Sequence, residues 1–132
     1  KDKQVKIIAG KFENAEGPVK GHNVEPIYFD VELNKDKLFN FKIPETHNTF
    51  IYLSKGEIEI GSSKHDNVQD STLILLTRGE DLIVKAKSNA KFLMISGKPI
   101  NEEIARGGPF VMNTKAEILQ AVQDYHNGTF VK

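Results

Sequence analysis

The sequence predicts a mainly β fold, a sandwich or barrel of short strands closed off by one C-terminal α-helix. Three observations carry this. Ile27, Phe29, Val31 and Leu33 alternate with Tyr28, Asp30 and Glu32, the two-residue period of a half-buried strand. Short apolar runs recur at roughly 8–12-residue spacing between turn residues, the punctuation of an all-β domain. Only the last stretch changes period. From Lys115 to His126, Ile118, Val122 and Tyr125 recur at helical spacing, with Leu119 and Ala121 beside them.

The elements follow in order. Val5-Lys6-Ile7-Ile8-Ala9 opens an extended run toward Phe12, with Gly10 interrupting it. Glu13 to Glu25 carries Gly17-Pro18 and Gly21 and reads as a loop. After the Ile27 strand, Leu38 to Ile43 places Phe39 and Phe41 on one face and Asn40 and Lys42 on the other, and Pro44 ends that strand or puts it at an edge. Phe50 to Ser54, Lys55-Gly56 and Glu57 to Ile60 read as strand, turn and strand. Gly61 to Ser71 is polar and reads as a long mobile loop. Thr72 to Thr77 is a short apolar run, the pattern of a strand buried on both faces. Asp81 to Ala86 and Ala90 to Ser96 are two further strands, followed by one helical turn at Asn101 to Ala105.

The turn then meets Gly107-Gly108-Pro109, a tight corner in which Gly permits positive φ and Pro fixes its own. Phe110, Val111 and Met112 follow and need an apolar surface. Thr114 is placed to cap the final helix, with Glu117 at capping-box spacing, and Asn127-Gly128 ends it. The expected organisation is one domain over residues 1–132, with the helix, 113–128, appended.

The composition narrows the function classes. Eighteen Lys+Arg balance eighteen Asp+Glu, so neither a nucleic-acid footprint nor an acidic tail is present. There is no cysteine, which removes disulfides and thiolate metal sites and fits a reducing, cytoplasmic location. No apolar run is long enough to span a bilayer. The chain does not begin with Met, and the expectation is a processed product, a trimmed chain or a fragment.

Few residues point to chemistry. None of His22, His47, His65 and His126 makes a metal spacing with another, and each reads as a solvated surface histidine. Glu45, His47 and Thr49 share a face if that stretch is extended, so Glu45 and His47 are the weak metal alternative, short of a third ligand. Glu57 and Glu59 alternate with apolar residues and read as an exposed strand face. Phe39, Phe41 and Tyr52 read as core residues rather than the lining of a ligand cavity. Gly107-Gly108-Pro109 lacks the Lys-Ser/Thr of a phosphate loop.

Phe50-Ile51-Tyr52-Leu53-Ser54-Lys55-Gly56-Glu57-Ile58-Glu59-Ile60 resembles the strand–turn–strand of cupins. Together with Lys91 to Glu102, Gly107 to Thr114, Ile8-Ala9-Gly10, Gly17-Pro18-Val19, Ile118-Leu119-Gln120-Ala121 and Tyr125 to Phe130, it closely resembles the pirin family, specifically that family's C-terminal half. The resemblance implies a cupin-type β-barrel, a double-stranded β-helix or jelly roll. In that family two such barrels face each other, and iron is held in the N-terminal one by three His and a Glu. Some members oxidise quercetin, and some are nuclear or cytoplasmic partners of transcription factors.

The cupin ligand positions can be laid on this sequence. With the hairpin glycine at Gly56, the Glu position falls at Thr49 and the His positions at Ile43 and Glu45, or at Lys42 and Pro44. The later His position falls near Ala90 or Lys91. None is His. The expectation is therefore a barrel with no catalytic residue, no cofactor and no metal of its own, iron belonging only to an N-terminal half. Its role is structural or interactive, with a second cupin domain, a homo-oligomer or another protein as partner, and with no nucleic acid and no membrane. Phe110, Met112, Ile118, Val122 and Tyr125 are the interface candidates, and the chain alone is expected to self-associate. The rivals are part of a quercetin 2,3-dioxygenase and a barrel that binds a small ligand such as a flavonoid or sugar.

Overall fold

The computed structural model describes residues 2–20, 23–61 and 66–131. It divides into two compact units, residues 1–99 and residues 100–132.

The first unit is a β-sandwich. One sheet contains β1 (Lys3–Ala9), β4 (Ile27–Leu33), β6 (Asn48–Lys55), β9 (Thr72–Leu75) and β11 (Ala90–Gly97), in the order β1-β4-β11-β6-β9. The other contains β5 (Leu38–Lys42), β7 (Glu57–Ile60), β8 (Asp66–Gln69) and β10 (Asp81–Ala86), in the order β5-β10-β7-β8. All pairings within the two sheets are antiparallel. A small hairpin, β2 (Lys11–Phe12) with β3 (Ala15–Glu16), lies between β1 and β4 in sequence.

From β4 to β7, and again from β8 to β11, each strand crosses to the opposite sheet, which is the winding of a jelly roll. Gly56 makes one such crossing, between β6 and β7. Its φ is 87°, and a side chain there would strike the backbone of Asn89 and Ala90.

The inward faces of the two sheets form one apolar cluster. Phe29, Val31, Ile51, Leu53, Phe92 and Met94 come from the first sheet, and Phe39, Ile58, Leu82 and Val84 from the second. The predicted alternation at Ile27–Leu33 is the pattern observed. Phe12 stacks on Phe39 at 5.5 Å and meets Phe29 edge-on at 5.7 Å, placing an aromatic cluster at the β2 side of the core.

Several readings need correction. Residues 66–69 form β8, paired with β7, where a long loop was expected; residues 62–65 lie outside the described residues. Ala15–Glu16 likewise pairs within the expected loop of residues 13–25. Thr72 to Thr77 is not buried on both faces: β9 is an edge strand, and Leu73 and Leu75 point away from the core, 58% and 77% exposed. An apolar run without polar alternation cannot distinguish a central strand from an edge strand with a non-polar outer face. Tyr52 also faces outward rather than filling the core, because its neighbours Ile51 and Leu53 take the inward positions.

The second unit is a hairpin and a helix. β12 (Ala105–Gly107) pairs with β13 (Phe110–Met112) around Gly108-Pro109, with φ of 55° at Gly108. Asn101 to Ile104 is not helical, and Ala105 is already strand, so the expected helical turn is absent. The helix α1 runs Lys115–His126, inside the expected 113–128. Its cap is the predicted box. Thr114 Oγ1 accepts from Glu117 N at 3.2 Å, while the Glu117 carboxylate accepts from Thr114 N at 2.7 Å and Asn113 N at 3.1 Å. Asn127 caps the C-terminus, and Gly128 follows at φ 71°.

Candidate functional site

A polar group interrupts the apolar core where β6 begins and β11 ends. The parity that buries Ile51 and Leu53 on β6 also turns Thr49 inward. On β11 the parity of Phe92 and Met94 does the same for Ser96. Thr49 and Ser96 are directly opposed across the two strands. Their hydroxyls lie 2.8 Å apart, and Ser96 Oγ is also 3.2 Å from His47 Nδ1. All three residues are buried. His47 is fixed from its backbone side as well, its N–H donating to the carbonyl of Pro44 at 2.9 Å.

The far nitrogen of the ring, Nε2, has no hydrogen-bond partner among the described residues. The Glu25 carboxylate, on a residue with φ of 46°, approaches it to 4.0 Å. His47 is therefore not the solvated histidine that its loop context suggested. It is a buried side chain whose ring meets Ser96 on β11, which is itself bonded to Thr49 on β6. His126 ends α1 and is exposed, as expected; His22 and His65 lie outside the described residues.

Glu45 is exposed, in the turn that precedes β6, so it does not share the inward face with His47 and Thr49. At the positions of the cupin ligand pattern, Ile43 and Ala90 are buried and carry no ligand atom, and Thr49 is engaged with Ser96. Among the described residues, no three of His, Cys, Asp and Glu come together in a way that could hold a metal ion. Among the described residues, the donors at this end of the sandwich are one imidazole, two hydroxyls and the Glu25 carboxylate 4.0 Å from the imidazole, short of the three His and one Glu of a cupin iron site.

The sequence profile described as the pirin C-terminal cupin domain matches residues 28–131. The chain belongs to the pirin family. It is 43% identical over 126 residues to a pirin-like protein of Solanum lycopersicum, covering 94% of this chain and 43% of the tomato protein. A pirin-like protein of Caulobacter vibrioides is 33% identical, with 96% and 45% covered. Among solved structures, the quercetin 2,3-dioxygenase of Acinetobacter baumannii superposes with a TM-score of 0.82 at 32% identity, over 96% of this chain and 43% of that one. The chain thus spans about half the length of the relatives it matches. The family and the jelly-roll fold expected from the sequence are both found.

The residues picked as interface candidates all lie in the second pirin unit. Phe110 packs edge-on against Tyr125 at 6.0 Å and at a tilt against Phe130 at 5.1 Å. Ile118 sits over Gly107, where any side chain would collide with it. Phe110, Met112, Ile118 and Val122 are half-buried, and Tyr125 is exposed.

Ser96 and Glu25 were not singled out from sequence. For Ser96 a signal existed: a hydroxyl at an inward position of an otherwise apolar alternation. Glu25 carried none, since its approach to His47 depends on a turn of positive φ.

Proposed function

We propose that this pirin C-terminal cupin domain binds no metal and carries no chemistry of its own, and that it acts as a structural and interaction domain. One observation carries the reading. The space between the sheets is filled by Phe29, Phe39, Phe92, Ile51, Leu53 and Met94, all completely buried. Dense apolar packing excludes the water and substrate that a cupin metal centre must admit. Of the polar residues that do face inward, Thr49 bonds Ser96, and Ser96 in turn meets His47 Nδ1.

In a protein of the length of its relatives, such a domain supports a second cupin half. The relatives described as quercetin 2,3-dioxygenases favour a companion reading, in which oxidation of a flavonol belongs to that other half and iron is held there. The filled interior also argues against a flavonoid or sugar held inside this barrel.

Equilibrium dialysis of the purified chain against iron(II), zinc(II) and manganese(II), followed by elemental analysis, tests the proposal. The expected result is no stoichiometric metal. One equivalent of iron, lost on His47→Ala, would overturn it.

A further inference from the structure

The five-stranded sheet has one strand more than its partner sheet, and β1 is one of its edges. Val5 and Ile7 of β1 stand opposite Val31 and Phe29, which are completely buried, so all four share the inward face. Val5 and Ile7 themselves are only half-buried. The β2–β3 hairpin stands beside them. Val5 and Ile7 line, with Phe12 to Ala15 of the hairpin, an open cleft of about 390 Å³.

Phe12 is the hairpin's anchor in the core. Its ring stacks on Phe39 at 5.5 Å and Phe41 at 6.2 Å and meets Phe29 edge-on at 5.7 Å. The other residues of 11–16 are exposed. From outside, Lys3 Nζ lies 5.2 Å from the centre of the Phe12 ring and 3.6 Å from the Glu13 carboxylate. The hairpin itself is weak. It consists of two residue pairs, Lys11 with Glu16 and Phe12 with Ala15, and a two-stranded ribbon has little stability of its own. Glu13, in the turn, holds φ of 52°, a costly conformation for a residue with a side chain.

The base is fixed by contrast. Gly17 N–H donates to the Gly10 carbonyl at 2.9 Å, and Val19 N–H donates to the Ile8 carbonyl at 3.2 Å. Gly10 has φ of 83°, and a side chain on Gly17 would strike the Ile8 backbone. A firm base bearing a weak tip, held by one ring, is the arrangement of a hinge.

From this arrangement we infer that the β2–β3 hairpin is a hinged plug, which swings about Gly10 and Gly17 as one unit and withdraws the Phe12 ring from the slot walled by Phe29, Phe39 and Phe41. Both sheets stay folded as it does so. The closed state dominates, because the ring makes stacked and edge-on contacts there. The open state uncovers the slot and the inward face of β1. This goes beyond the structural role proposed above, since it gives the sandwich an apolar site that exists only while the plug is out.

Native-state hydrogen exchange of the chain, followed by NMR across low urea concentrations, is the test. A local opening exposes little surface and is insensitive to denaturant, whereas global unfolding is strongly accelerated by it. The amides of residues 11–16 are expected to exchange at least about a hundredfold faster than those of β4 and β11, at rates unchanged by urea. The Gly17 and Val19 amides, at the base, are expected to exchange at least about tenfold more slowly than the hairpin. Phe12→Ala removes the anchor and is expected to speed hairpin exchange at least about tenfold. Lys3→Ala, at an exposed position that leaves the core untouched, is expected to speed it about two- to fivefold and to leave β11 unchanged. Hairpin exchange that rises with urea in step with β11, a base that exchanges as fast as the tip, or a hairpin indifferent to these substitutions overturns the inference.

Discussion

Ser96 is the residue on which the polar break in the core turns. Its hydroxyl serves both Thr49 and the ring of His47, so removing it orphans two buried groups at once. Ser96→Ala is expected to cost about 1–3 kcal/mol, the penalty of a buried polar group left unpaired. Urea unfolding checks it, with Ser54→Ala on the exposed end of β6 as a reference; equal midpoints for the two variants would contradict this account. Glu117 gives a second prediction at this scale. The Thr114 side chain, then the Thr114 and Asn113 backbone amides, hold its carboxyl below the ordinary value of 4.5. Because its folded value is depressed, its contribution to the helix is present above the ordinary value and is lost as pH falls through the lower, folded value. An NMR titration should place the Glu117 midpoint below 4.5, with first-turn amide protection falling over the same range. A midpoint at or above 4.5 would show that the box does not form in solution.

The behaviour of the elements follows from a few local commitments. Gly56 must hold positive φ and lie against the Asn89 backbone as the chain passes between sheets. Gly56→Ala is expected to cost at least about 1–2 kcal/mol, from the left-handed conformation alone, before any collision is counted. Thermal unfolding measures this, and an unchanged melting temperature would contradict the assigned corner. Thr114→Ala removes one half of the capping box and should weaken the second unit by about 1 kcal/mol, read as faster amide exchange along α1.

At this scale the sequence was most informative where period and punctuation agreed. The alternation of β4, the glycine at the β6–β7 crossing and the box before α1 are all local, and each is observed. It was least informative where pairing is non-local. Nothing within Asp66–Gln69 announces a strand, because β8 exists through its partner β7. The apolar run at β9 could not reveal that its outer face is left open at a sheet edge, and the burial of His47 depends on Ser96, 49 residues away.

For the whole molecule, the jelly roll is shared with proteins of different function, and the fold itself assigns none. What distinguishes this pirin domain is how its two faces are used. The inside is closed by apolar packing, and the outside of one sheet is apolar in turn. The core should therefore be sensitive and the outer face tolerant. Phe92→Ala, which empties a completely buried position, is expected to cost about 3–5 kcal/mol, whereas Leu75→Glu should leave the stability within about 0.5 kcal/mol of the parent.

The claim that the interior is closed to metal is tested most directly by following the methyl resonances of Ile51, Leu53 and Met94 during an anaerobic iron(II) titration. These side chains lie, completely buried, in the apolar cluster between the two sheets. The account predicts no saturable change at any of them. A one-to-one, saturable paramagnetic shift centred on those methyls and on the His47 ring would contradict it.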